Sequence, residues 1–171
     1  MGFKRGFKTW CETVSGQQRR GLGLNAADPL DAYALAESMG VAVLKAEDVP
    51  EVPKDALKIL LNDDPDSWSA ITLTLNNVHL VVLNSAHSQG RISSDLMHEL
   101  SHLLIGHKSA RVDITEDNLL MLKYCDGDQE DEANWLAGCL LLPREALLRI
   151  KRQRIPQDEA ARTYRVSAKM L

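Results

Sequence analysis

The sequence predicts an α+β domain in which a small β-sheet accompanies several amphipathic helices. Three observations carry that expectation. The length of 171 residues suits one main domain with a real core. Two apolar-patterned segments, 69–75 and 78–83, read as a β-hairpin. Beyond the hairpin, helical patterns dominate, most clearly around 92–104 and 128–142.

Hydrophobic residues make up 44% of the chain and charged residues 26%, ordinary values that leave no case for general disorder. A formal charge of -4 is too small for a protein that coats nucleic acid or membrane. Lys4, Arg5 and Lys8 are followed by no apolar run long enough for a secretory signal. No uninterrupted apolar stretch approaches membrane-spanning length. Cys11, Cys125 and Cys139 are odd in number and lack a C-x-x-C pair, so free buried thiols in a reducing compartment are expected. The chain is read as cytoplasmic.

In chain order, 2–20 is a packing helix with a solvated basic face, carrying Phe3, Phe7, Trp10 and Val14 at weak helical spacing. Asp28-Pro29 is expected to open a helix that stops at Gly40, where a left-handed C-cap is natural. Val41, Val43 and Leu44 form a short strand, and Pro50 and Pro53 mark a loop. Periodicity leaves 55–61 undecided between helix and strand. Asn62 to Asp66 is a turn by its chemistry. The segment 69–75 alternates Ile71, Leu73 and Leu75 with Thr72 and Thr74, and Asn76-Asn77 turns it into the strand 78–83. If it lies at the sheet edge, that second strand would pair with an extended segment of another chain.

After a polar loop, 85–90, a helix begins near Arg91. The region 108–117 is irregular, and 118–124 is read as helical. A strong helix from Asp128 to Leu142 ends at Pro143. A basic amphipathic helix, 144–154, precedes Pro156, and a last helix is expected over 157–171.

The chemistry concentrates in the helix that contains His98-Glu99-Leu100-Ser101-His102. This H-E-x-x-H spacing sets two imidazoles about 40° apart and one turn apart on a helix, close enough to share one ion. Glu99, about 100° from His98, flanks the ion where it can accept a proton from an activated water. Ile92, Leu96, Leu100, Leu103 and Leu104 occupy the opposite face, so one side suits a core and the other a metal.

A hydrolytic zinc site needs three protein ligands and one open position. His107 does not complete the longer metzincin pattern, because Gly106 and His107 stand where positions 105 and 108 are required. Continued on the same helix, His107 falls about 160° from the midpoint of the pair and reads as a helix-end or core histidine. The acidic start of the 128–142 helix offers Glu130 and Glu132. Glu130 shares a face with Ala133, Asn134, Ala137 and Leu141, whose small residues permit close helix approach, whereas Glu132 sides with Leu136 and Cys139. Glu130 is therefore preferred over Glu132. Asn134, one turn on, is placed to orient Glu130, and Trp135 reads as a packing residue.

With HELSH at 98–102 and EDEANWLAGCLLLP at 130–143, the chain resembles the ImmA/IrrE family of metallo-endopeptidases. The second string is similar to that family's E-x-x-A-N-x-F-A…LLxP signature, with Leu136 in place of the usual aromatic and Ser101 where the first motif often has Gly. The likeness extends loosely from Leu30 onward. It implies Glu130 as third ligand beside His98 and His102, Glu99 as the base, and Zn²⁺ as cofactor. It also implies a zincin-like fold, placed here over 27–143, and the helical patterns of the chain itself set off an N-terminal helical extension, 1–26, and a C-terminal helical region, 144–171. A cytoplasmic protein substrate follows, a transcriptional repressor of the helix-turn-helix type.

Two other readings exist. One is a zinc-containing sensor or adaptor that binds a repressor without cutting it, against which the presence of Glu99 speaks. The other is a nucleic-acid-binding module using Arg144, Arg149, Lys151, Arg152 and Arg154, residues more simply read as a solvated helix face. No substrate-binding residue or oligomeric state is legible.

Overall fold

Phe7, Cys11 and Val14 recur every three or four residues, and this stripe turns the first helix, α1 (Phe7–Gly21), toward the interior. The computed structural model describes residues 2–50, 52–75, 78–107, 112–114, 120–122, 127–167 and 170–171. In helix α2 (Ala32–Ser38) the N-cap is Asp31, whose side chain accepts hydrogen bonds from the N–H groups of Tyr33 and Ala34. The expected opening at Asp28-Pro29 is thus corrected. Asp28 instead closes the preceding turn by accepting from the backbone N–H and side-chain amide of Asn25, each at 2.8 Å. Gly40 follows the helix at φ 68, in the left-handed region foreseen for it.

Strand β1 (Ala42–Lys45) leads to helix α3 (Lys54–Lys58), which widens into a π-helical turn at Ile59–Asp63. The segment that periodicity left undecided is helical. Strands β2 (Ala70–Leu75) and β3 (Val78–Leu83) pair antiparallel, with Leu73 opposite Leu80. The Asn76-Asn77 turn lies outside the described residues. β1 joins β3 in parallel, Val43 opposite Val81, so the strand order is β1-β3-β2. This overturns the edge position considered for 78–83. β3 is central, its inner residues Val81 and Leu83 are fully buried, and β1 and β2 are the two edges.

Helix α4 (Gln89–Ile105) is capped by the Ser88 side chain, which accepts from the Arg91 N–H. Its predicted apolar face is the buried one, with Ile92, Leu96 and Leu100 in the core and Leu103 and Leu104 packed at its margin. Strands β4 (Val112–Ile114) and β5 (Leu120–Leu122) form a second, antiparallel pair. The helix expected over 118–124 is therefore wrong at its centre, where cross-strand pairing outweighs the helix propensity of Leu and Met. Cys125 and Asp126 lie outside the described residues.

Helix α5 (Gly127–Leu141) ends before Pro143, which caps α6 (Arg144–Gln153). Helix α7 (Gln157–Tyr164) is shorter than expected, because Arg165 turns left-handed at φ 53 and the chain folds back to bury Val166. The Tyr164 hydroxyl ties this end to the carbonyl of Ala27 at 2.8 Å.

α4 lies against β2 and β3 on one side and α5 on the other, and α1 packs on α5. Leu96, Met97 and Leu100 of α4 and Leu136, Leu140 and Leu141 of α5 are essentially inaccessible and form the seam between these helices. The α1–α5 junction is polar at one end. Arg19, wholly buried, donates to Leu140 O at 2.7 Å, Asp28 O at 2.9 Å and Ser15 Oγ at 2.7 Å, while Ser15 Oγ donates to Cys139 O at 2.7 Å. Carbonyls at the C-terminal turn of α5 thereby gain partners they cannot find within the helix. Cys11 and Cys139 are buried free thiols, as expected. Trp135 packs as foreseen, but at the surface, edge-on to Phe3 and beneath the Lys8 ammonium at 3.7 Å.

Candidate metal centre

The seam between α4 and α5 fixes where their polar faces meet. Ala133 and Ala137 are buried against it, small enough for the helix axes to come close, and the side chains beside them converge. His98 Nε2 lies 3.0 Å from His102 Nε2 and 3.1 Å from Glu130 Oε2, and His102 Nε2 lies 3.4 Å from Glu130 Oε1. One donor atom from each of the three residues lies within 4.8 Å of the others. Two nitrogens held at 2.0–2.1 Å in a tetrahedral shell are about 3.3 Å apart, so these separations fit a single metal ion. Two imidazoles and a carboxylate are the donor set of a borderline divalent ion.

The rings are held from behind. His98 Nδ1 lies 3.0 Å from Asn134 Oδ1, and His102 Nδ1 lies 2.9 Å from His107 Nδ1, whose Nε2 lies 3.1 Å from Glu132 Oε2. Asn134 was expected to orient Glu130; it contacts His98 instead. Because an amide oxygen only accepts, the His98 proton belongs on Nδ1 and its Nε2 lone pair faces the cluster. Burial, reinforced by the nearby His98 ring, pushes the His102 imidazole down to about 4, so it is neutral near pH 7 and available as a ligand.

Glu99 stands one residue round the helix and takes no part in the three-residue cluster. Its Oε2 accepts a hydrogen bond from the Thr72 hydroxyl of the edge strand β2. Burial raises the Glu99 carboxyl above its ordinary range, opposed by the Thr72 bond and the His98 ring. A carboxylate so placed can exchange protons with a molecule bound at the cluster.

Sequence reasoning missed Thr72 and the contacts that join Glu132, His107 and His102, although His107 is the buried, hydrogen-bonded helix-end histidine it was read to be. Thr72 was legible only as a strand position opposite the Ile71–Leu73 row; nothing local ties it to a residue 27 positions later. For His107 a signal existed. Gly106 at φ 80 ends α4 at Ile105, and the His107 N–H returns to His102 O at 3.0 Å. This Schellman turn takes His107 off the helical wheel and lays it against His102.

A family model described as the IrrE N-terminal-like domain, peptidase M78, matches residues 54–171. The match covers all three clustered residues and Glu99, and begins later than the Leu30 anticipated from the resemblance. No curated protein matches the chain. Among solved structures, a Mycobacterium tuberculosis transcriptional regulator is similar in fold, with a TM-score of 0.51 and 14% identity. The similarity covers 98% of this chain and 46% of that one, so the present chain spans about half the regulator's length.

Proposed function

Because the chain belongs to the peptidase M78 family, through an IrrE N-terminal-like domain over residues 54–171, we propose that it is a zinc-dependent endopeptidase acting on a cytoplasmic repressor of the helix-turn-helix type. The observation that carries this reading is the convergence of His98, His102 and Glu130, with Glu99 beside them on a hydrogen-bonded leash. Zn²⁺, when bound, supplies Lewis acidity that polarises a peptide carbonyl and brings water into nucleophilic range near neutral pH.

The chain's own residues do the rest. His98, His102 and Glu130 hold the ion. Glu99 receives the proton from the attacking water and delivers it to the departing amide nitrogen. Thr72 occupies one oxygen of Glu99, which leaves the other to take that proton. Strand β2, at the sheet edge and carrying Thr72, offers backbone N–H and C=O groups to an extended substrate segment. It takes the part first considered for 78–83. The repressor as substrate follows from the ImmA/IrrE resemblance, and the regulator of similar fold is itself named for transcription.

A binding-only adaptor would have no use for a general base. The partly buried Glu99, raised by that burial and held by Thr72, favours hydrolysis. The test is to incubate the zinc-loaded protein with candidate repressors and map products by mass spectrometry. Glu99→Gln is expected to retain zinc and to cleave at least about a hundredfold more slowly. Full activity in that variant would remove the proposed base, and binding without any cut would favour the adaptor.

A further inference from the structure

We propose that His107 and Glu132 form a positioning relay that fixes the His102 ring as a metal donor, an inference that rests on the metal-centre reading above. The geometry is a single line of contacts. Glu132 Oε2 lies 3.1 Å from His107 Nε2, His107 Nδ1 lies 2.9 Å from His102 Nδ1, and His102 Nε2 lies 3.0 Å from His98 Nε2 and 3.4 Å from Glu130 Oε1. Both inner members are well covered, the side chains of His107 and Glu132 being 7% and 20% exposed.

With one proton on each imidazole and a cation among His98, His102 and Glu130, a single arrangement of protons satisfies the contacts of this line. A carboxylate has no proton to give, so His107 Nε2 donates to Glu132. Neutral His107 then has a lone pair on Nδ1, which accepts from Nδ1–H of His102. His102 is left with its lone pair on Nε2, directed at His98 and Glu130. With a single proton on His107, the reverse order would set its lone pair against the Glu132 carboxylate at 3.1 Å, a repulsive contact. Hydrogen-bonded partners behind a metal-binding imidazole fix its tautomer and increase its basicity. Here the carboxylate acts through an intervening imidazole. Asn134 gives His98 the simpler version, with one acceptor behind the ring.

The backbone holds the relay at its middle. With Gly106 left-handed, the His107 N–H bonds His102 O at 3.0 Å while the two rings meet edge to face, so one residue grips another through main chain and side chain together.

The test measures zinc affinity of the full chain by competition with a chromophoric chelator, and the visible absorption of the Co²⁺-substituted protein. His107→Phe and Glu132→Ala are each expected to weaken zinc binding roughly ten- to a hundredfold and to shift the Co²⁺ bands, with near-ultraviolet circular dichroism unchanged. His107→Asn, whose amide oxygen can still accept from His102 Nδ1, should restore most of the affinity. In that background Glu132→Ala should have no further effect, because its link to His102 is already cut. Where His107→Phe does not fold, Glu132→Gln serves, with an expected loss of several-fold. Unchanged affinity in the folded His107 and Glu132 variants would overturn the relay. So would an undiminished effect of Glu132→Ala in the His107→Asn background. Wild-type protein that takes up neither ion would instead overturn the metal-centre reading itself, and the relay with it.

Discussion

Glu99 and Thr72 show how much of the chemistry rests on single contacts. The Thr72 hydroxyl is the one described hydrogen-bond donor to the Glu99 carboxylate, and it comes from a different element. Thr72→Val keeps the shape of the strand and removes only that donor. A hydrogen bond to a charged group is worth about 1.5–3 kcal/mol, so kcat should fall roughly ten- to a hundredfold. Zinc affinity should be unchanged, since the side chain that Thr72 holds, Glu99, is not one of the three clustered residues. Steady-state kinetics on a cleaved repressor, with zinc titration beside them, checks this; a fall in zinc affinity instead would assign Thr72 to the metal. The pairing of His98 with His102 was legible because helical periodicity is local arithmetic, and Glu130 was legible from the small residues sharing its face and from the family resemblance. Asn134 was singled out, yet its partner is His98 across the helix seam, since periodicity orders neighbours within one helix and says nothing of facing side chains. Thr72 escaped for the same reason.

At the scale of elements, the end of α4 decides where His107 goes. Gly106 sits at φ 80, a conformation that disfavours any side chain by about 1–2 kcal/mol. A Cβ at Gly106 meets nothing within 4 Å, so Gly106→Ala tests the backbone alone. It should lower unfolding free energy by about 1 kcal/mol in urea titrations and loosen zinc binding through displacement of His107. Stability and affinity both at wild-type level would show that the turn tolerates the substitution. The wheel failed at His107 because it was carried past this turn. Elsewhere, the hairpin β2–β3 and the helices α4, α5 and α6 were legible from alternation, caps and prolines. The start of α2, the strand β5 and the end of α7 were not, because nearby capping residues, cross-strand partners and a left-handed Arg165 overrode local propensity. The parallel docking of β1 beside β3, which moves β3 to the centre, leaves no mark in either strand's own pattern.

For the molecule as a whole, the buried thiols make stability depend on alkaline pH. Burial pushes the Cys11 thiol up to about 11 and Cys139 up to about 12, from an ordinary 9.0, with Glu12 adding to both shifts. The folded state therefore prefers the protonated thiols. Their contribution is fully present below pH 9 and is lost as pH rises from there toward 11 to 12, where ionisation is opposed in the fold but free in the unfolded chain. Urea midpoints measured at pH 8 and pH 10.5 should fall more for the wild type than for a Cys11→Ala/Cys139→Ala variant. Equal drops would mean that other groups control the alkaline limb.

The three clustered side chains reach the cell at different times. His98 and His102 emerge from the ribosome on one helix, and Glu130 follows on another after the β4–β5 pair. At about 5–20 residues per second, translation from residue 102 to residue 130 takes roughly one to six seconds. During that interval the nascent chain presents two imidazoles and no third donor, a weak and unselective binder. Ion capture with full affinity waits until α5 has been made and has docked, so metallation follows the meeting of α4 and α5 rather than the emergence of the histidine pair.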